Sequence, residues 1–458
     1  MIQDNRDRAV SCVLRYCCFL ALTTALLSGG TTIHGQSATQ PERRFNRPYM
    51  GWSSWSLEAT KAPGYGGMSW VTAEHIERAS DLLHAKLQRY GYTYVNIDSG
   101  WMHGYDAQGC PIPDPSVFPG GITSVAKHIH KNGQKLGLYW IPGINDDLYE
   151  LNLPILGTSA RVRDIVFLPK RPANGWRGGY RIDYSKPAAS AYINSLVSKF
   201  ASWGIDFLKL DGVTPGSDIE DLSIDARDDV ATWNSAIRNQ KRRIWLTLSW
   251  RLSPRYLEFW ARNADAIRVD DDVETYGITL TGWEPIARRF DEVQPFLRDV
   301  YYRQPCLDLD SLDIGCGSMD GLTLEERRST MTLWAILCAP LYTGDDLEKI
   351  DVEGIAMLTQ KQLIRIDQAG RRAKRVFCKN QQVWRIDEPD GTDILAIFNL
   401  ANTECKFPCS SLGLRPDEAS RGAADLWSGK AVNIAYGAPD LPIGPHGCRL
   451  LQLANKHE

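Results

Sequence analysis

The chain has 458 residues, enough for two or three domains of ordinary size or for one (β/α)₈ barrel with a smaller companion. A hydrophobic fraction of 43% with 23% charged residues excludes a disordered or fibrous chain, and a net charge of −3 without any long basic run excludes a nucleic-acid partner. The 15 Trp and 18 Tyr exceed the needs of a core and supply flat rings on which sugar faces stack.

Arg6, Arg8 and Arg15 precede an apolar run from Tyr16 to Leu27, followed by the small residues Ser28-Gly29-Gly30-Thr31. Residues 1–35 therefore read as a secretory signal, since about 12 apolar residues are too few to span a bilayer. A secreted or periplasmic protein is expected, free of the membrane once the signal is removed. In that compartment Cys110, Cys306, Cys316, Cys338, Cys378, Cys405, Cys409 and Cys448 could pair as disulfides. None forms a CxxC, and His128-x-His130 has no carboxylate ligand close in sequence, so neither a metal site nor a cofactor is implied.

From residue 46 to 368 short apolar runs alternate with helix-like stretches, the pattern of parallel βαβ units. Strands are predicted at 50–54, 93–98, 135–140, 206–211, 243–249, 266–270, 308–314 and 340–343. Thr72 caps a helix whose Ile76, Ala79, Leu83 and Leu87 share one face and which Gly91 stops; Thr323 and Glu326 form a capping box for another. Eight strands each followed by a helix imply a closed (β/α)₈ barrel. Over 370–458 the period shortens to two and Gly, Pro and Asp punctuate the runs, predicting an antiparallel β-sandwich.

Function in such a barrel collects where strands end. Asp98, Asp211, Asp270 to Asp272, Asp308, Asp310, Asp345 and Asp346 stand at those points, although Asp is disfavoured in strands. Two carboxylates in a barrel mouth can break a glycosidic bond, one attacking the anomeric carbon and the other protonating the leaving oxygen. Lys209 shares a strand face with Asp211 and would favour its ionised form, and Arg268 is placed to share a face with Asp270 and Asp272.

Gly51-Trp52-Ser53-Ser54-Trp55, Tyr94-Val95-Asn96-Ile97-Asp98-Ser99-Gly100-Trp101, Leu136-Gly137-Leu138-Tyr139, Phe207-Leu208-Lys209-Leu210-Asp211-Gly212, Arg268 with Asp272, and Asp308-Leu309-Asp310 follow one another at matching strand ends. Together with Met331 to Leu341 and Asp345-Asp346-Leu347, they resemble glycoside hydrolase family 27, the α-galactosidase and α-N-acetylgalactosaminidase family. The resemblance implies that Asp211 is the nucleophile of a retaining enzyme and Asp272 its acid/base. It also implies that Trp55, Asp98, Ser99, Tyr139, Lys209, Ser249, Trp250, Arg268 and Asp310 bind the sugar.

Three departures from the family pattern stand out, the first and last bearing on specificity and the second removing a familiar disulfide. Galactose-specific members usually carry two adjacent aspartates where this chain has Asp98-Ser99; Val213 stands where a Cys is common; and Ser249 is followed by Leu252 where N-acetylgalactosaminidases prefer a small residue. The reading is an exo-acting α-galactosidase acting on α-linked oligosaccharide or polysaccharide. An isomaltose-releasing α-glucanase or an α-N-acetylgalactosaminidase is the alternative within the family, and nothing in the sequence fixes an oligomeric state. A non-catalytic lectin would have no need of Lys209, Asp211, Arg268 and Asp272 together, and a serine hydrolase would need a Gly-x-Ser-x-Gly elbow that is absent.

Overall fold

The computed structural model describes residues 47–216, 222–299 and 304–455, so the predicted signal lies outside the described residues. Eight parallel strands are present: β1 (Met50–Ser53), β2 (Tyr94–Ile97), β3 (Lys135–Trp140), β4 (Ile205–Leu210), β5 (Trp245–Leu248), β6 (Ala266–Arg268), β7 (Cys306–Asp308) and β8 (Leu341–Thr343). They pair in the order β8-β1-β2-β3-β4-β5-β6-β7, with Met50 against Leu341 joining the first strand to the last. Strands covered on both faces read as unbroken apolar runs, and all four residues are buried in each of β1, β2 and β5. Helices alternate with them, including Ala73–Lys86, Gly121–Lys131, Pro187–Trp203, Arg227–Arg238, Trp283–Glu292 and Leu324–Ile336. The predicted caps hold: Thr72 accepts from His75 N, Gly91 takes φ 111° after the helix, and Thr323 and Glu326 bond reciprocally.

The seventh strand differs from expectation. It was predicted over 308–314 but ends at Asp308, because Asp310 sits in the left-handed region with φ 80° and carries the chain out of extended geometry. The following residues still close the seam beside β8, through Leu312 N to Tyr342 O at 2.7 Å and Gly344 N to Asp313 Oδ1 at 3.0 Å. Below them an aromatic cluster fills the barrel, with Tyr49 stacked on Tyr342 at 5.3 Å and edge-on to Phe207 at 4.9 Å.

The C-terminal region is the predicted sandwich. A six-stranded sheet runs from Lys374–Cys378 at one edge to Ala431–Val432 at the other, with Cys448–Leu453 inside it, and the pair Cys405–Phe407 with Leu441–Ile443 covers one face. Alternation divides the strand Ile394–Asn399: Ile394, Ala396 and Phe398 pack with the barrel core, whereas Leu395 and Ile397 pack with Phe407, Leu441 and Ile443.

Two expectations are corrected here. The eight cysteines are all free thiols. They stand on separate elements, largely buried as small apolar side chains, and several Sγ atoms face other partners: Cys316 the carbonyl of Asp346 at 3.3 Å, Cys409 that of Pro439 at 3.5 Å, and Cys448 the hydroxyl of Thr332 at 3.4 Å. Many of the rings, too, are structural: Trp52, Trp101, Trp233, Trp245, Trp260, Trp334 and Trp384 are fully buried. Among the described residues no helix is long and apolar enough to cross a membrane.

Candidate active site

The C-terminal ends of the strands converge on one open face. Asp98, at the end of β2, is buried and receives Ser99 N at 2.9 Å and Lys209 Nζ at 2.9 Å. Its backbone N–H donates to Ser54 Oγ at 2.8 Å, and that hydroxyl donates to Glu58 at 2.6 Å, so the loop after β1 braces the end of β2. Burial works against the charge on Lys209, but Asp98, Asp211 and Asp272 outweigh it and raise the ammonium pKa above its ordinary value. The rings of Tyr139 and Trp55 flank that ammonium at 5.4 and 5.9 Å.

Asp211 directly follows β4. Its N–H donates to Trp140 O at 2.8 Å, extending the β3–β4 ladder by one bond, and Oδ1 accepts Gly212 N at 2.8 Å. The Tyr139 phenol lies in the field of the same carboxylate; burial first, then Asp211 and Asp98, push its pKa far up, so it stays protonated.

On the opposite wall, buried Arg268 at the end of β6 donates through one nitrogen, Nη1, to Asp272 Oδ1 at 2.9 Å and to Asp310 Oδ2 at 2.6 Å. Asp310 is further held by Val273 N at 2.9 Å, Tyr342 OH at 2.9 Å and, on its carbonyl, Trp334 Nε1 at 2.9 Å. These fixed donors secure its left-handed backbone. Burial pushes Asp272 up, but Arg268, Lys209 and the hydroxyl of Tyr276 on Oδ2 override it and hold the carboxyl at about 2. Asp272, Glu274 and Asp310 bring three carboxylate oxygens close together, as a cation site would. The Arg268 guanidinium already supplies positive charge between Asp272 and Asp310, and Glu274 accepts Ser56 Oγ at 2.7 Å and Ser311 Oγ at 3.0 Å.

Trp55, Asp98, Tyr139, Lys209, Asp211, Arg268, Asp272 and Asp310 are thus gathered as the sequence predicts. Ser99 is at the margin, its hydroxyl 3.2 Å from Met68 Sδ, where it borders a neighbouring cleft lined by Trp101 and Trp140. Ser249 is buried with no hydrogen-bond partner for Oγ, and Trp250 stacks on Trp176 at 5.2 Å.

Other expectations fail. Asp270 does not share the face of Arg268, because β6 ends at Arg268 and strand alternation stops with it; Asp270 instead pairs with buried Arg289 at 2.8 Å. Asp345 accepts Gly315 N at 2.8 Å and Asp346 accepts Tyr65 OH at 2.6 Å, both in loop contacts. His128 and His130 do have carboxylate partners, supplied by other elements: Asp81 at 2.7 Å and Asp206 at 2.8 Å. These are two separate hydrogen-bonded pairs. Sequence reasoning missed Tyr276, Trp176 and Tyr342; the first lies four residues beyond Asp272, and the second lies in the run Asn174-Gly175-Trp176-Arg177-Gly178-Gly179. Only the spacing of Tyr276 from Asp272 offered a signal.

The site therefore holds two carboxylates in a mouth lined by fixed cations and rings, which is what glycosidic cleavage requires. The alpha galactosidase A family model matches residues 47–146 and 179–369, and the alpha galactosidase C-terminal beta sandwich model matches residues 379–453. Alpha-galactosidase 3 of Hypocrea jecorina is 28% identical over 340 residues, which are 70% of this chain but 53% of that protein, so the chain spans about half the length of this relative. The alpha-galactosidase of Cyamopsis tetragonoloba is 24% identical over 89% of this chain and 86% of its own length. The crystal structure of a GH27 β-L-arabinopyranosidase from Geobacillus stearothermophilus is 25% identical with a TM-score of 0.75, over 89% of this chain and 96% of that one. With barrel and sandwich both matched, the chain belongs to the alpha galactosidase A family of glycoside hydrolases, GH27.

Proposed function

We propose that the protein is an exo-acting, retaining α-galactosidase in which Asp211 is the nucleophile and Asp272 the acid/base. The observation that carries this reading is the placing of Asp211, bonded by Gly212 N, and Asp272 in one mouth where Lys209 and Arg268 supply fixed positive charge to the carboxylates. In the first step an Asp211 oxygen bonds to the anomeric carbon while the bond to the leaving oxygen breaks and Asp272 gives that oxygen its proton. In the second, Asp272 takes a proton from water, the water oxygen bonds to the anomeric carbon, and the Asp211 ester breaks with the same configuration restored. With no sugar bound, Asp272 is an anion shared by Arg268 and Tyr276, and it becomes the acid once sugar displaces Tyr276 and closes off water. Asp98 and Lys209 are placed to hold sugar hydroxyls through charge-assisted hydrogen bonds. Secretion, through the segment 1–35, suits an enzyme that meets α-linked oligosaccharide outside the cytosol.

A second reading has one observation in its favour. A β-L-arabinopyranoside has the ring stereochemistry of an α-D-galactoside without the 6-hydroxymethyl group, and Ser99 stands where galactose-specific relatives usually carry a second carboxylate. A hydrolysis screen over nitrophenyl α-galactoside, β-L-arabinopyranoside, α-N-acetylgalactosaminide and α-glucoside separates these outcomes. Proton NMR of the galactoside reaction should show the α-anomer first; initial β-anomer rejects retention.

A further inference from the structure

Residues 147–178 fall between the two stretches matched by the family model, yet they form an ordered lobe over the barrel mouth. Ile155, Val162, Ile165 and Val166 give the lobe a buried interior, and bridges between Ile144 and Tyr180 and between Val166 and Ile182 tie its base. Its end is a tight loop in which buried Asn174 Oδ1 accepts Trp176 N at 3.2 Å and Gly178 N at 3.3 Å.

That loop presents Trp176, which at 49% exposure is the one Trp among the exposed large apolar side chains of the described residues. The ring is nonetheless fixed. It stacks on Trp250 with centroids 5.2 Å apart and planes 26° from parallel, and its six-membered edge lies against the backbone of Gly212, where a Cβ would meet Cζ3 at 2.3 Å. Gly175 allows the same approach to Trp250, whose Cζ3 would lie 2.3 Å from an added Cβ, while Gly175 N donates to Gly212 O at 2.8 Å. A large ring held rigidly and left exposed has no role in a core, and it stands beside the residue that follows Asp211.

We infer that Trp176, backed by Trp250, is the platform for the leaving sugar, so that the enzyme is built for galactosides whose aglycone is a sugar ring. This inference rests on the α-galactosidase reading above. The charged groups that can hold the galactosyl unit, Asp98, Lys209 and Arg268, are buried in the mouth, so the substrate's leaving half must lie outward, at the rim where Trp176 stands. An indole face offers a sugar ring C–H contact with little loss of side-chain freedom, because Trp250 and Gly212 already immobilise it.

The test compares kcat/KM for melibiose, whose leaving group is glucose, with kcat/KM for methyl α-D-galactopyranoside, whose leaving group has no ring. Trp176→Ala should lower the melibiose-to-methyl ratio about tenfold, and Trp176→Phe should restore part of it. A ratio within about twofold of wild type for Trp176→Ala overturns the platform while leaving the α-galactosidase reading intact. A wild-type enzyme that cleaves neither galactoside overturns that reading, and the inference falls with it.

Discussion

The hydroxyl of Tyr276 donates to Oδ2 of Asp272 while Arg268 Nη1 holds Oδ1 at 2.9 Å, so both oxygens of one carboxylate are occupied by donors on different elements. Arg268 is buried, whereas Tyr276 is 45% exposed and stands edge-on to Trp55 at 6.3 Å. The inner contact is therefore permanent and the outer one exchangeable, leaving Oδ2 as the oxygen that can turn to a substrate.

Both contacts, with Lys209, depress the pKa of Asp272 against its burial. Deleting the phenol hydroxyl in Tyr276→Phe removes a donor to the carboxylate form, so the pKa of Asp272 must rise. The limb of the kcat/KM profile that Asp272 governs should move up by about 0.5 to 1 pH unit. A uniform loss of rate with an unmoved profile would mean that Tyr276 serves only the loop.

Asp211→Ala should lose at least about a thousandfold in kcat on every substrate, because no other group can form the covalent intermediate. Asp272→Ala should be far less harmful with a dinitrophenyl leaving group, which needs no proton, than with a methyl glycoside. Equal losses on both leaving groups in the second variant would remove Asp272 from the acid role.

Ser99→Asp tests the sugar's far side. Hydrogen bonds to a charged acceptor exceed neutral ones by about 1 kcal/mol, so the variant should raise the preference for α-D-galactoside over β-L-arabinopyranoside about fivefold. If the ratio of the two kcat/KM values does not change, the Ser99 hydroxyl, 3.2 Å from Met68 Sδ, faces the neighbouring cleft and leaves the glycone untouched.

A pH effect on stability follows from the buried carboxylates beside β8. Burial, and then Asp320, pushes Asp345 well above the carboxylate range, and burial pushes Asp320 to about 6. Raised folded-state values mean that the native protein binds more protons than the unfolded chain, so this contribution is intact below about pH 4 and is lost as pH rises past 6. Asp345→Asn removes the buried titrating carboxyl while keeping its shape, and so stays neutral at every pH. Its stability relative to wild type should grow by about 1–3 kcal/mol between pH 5 and pH 8, and thermal melts at the two pH values with the same difference would refute the pairing.

Much of this site was legible because strands have a period of two and end abruptly. Asp98, Lys209, Asp211 and Arg268 lie within or next to such runs, and their convergence follows once the runs form a barrel. Legibility failed where the backbone left that regularity. Strand alternation carried past Arg268 mispaired Asp270, and the left-handed turn at Asp310 shortened β7. Trp176 reaches the site from a loop whose course is set by a distant partner, Gly212, and Tyr276 from a loop that it enters at φ 54°, so no strand or helix period marks either of them.

The pairing of β1 with β8 also has a consequence during synthesis. Met50 cannot meet Leu341 until about 290 further residues have been made, which at 5–20 residues per second is a delay of roughly 15–60 s. For that interval the free edge of β1, with Met50 and Trp52 beside it, is an unpaired template open to other nascent strands. A ring of staves that closes on its first and last members thus leaves one edge of its opening stave uncovered until the final one arrives.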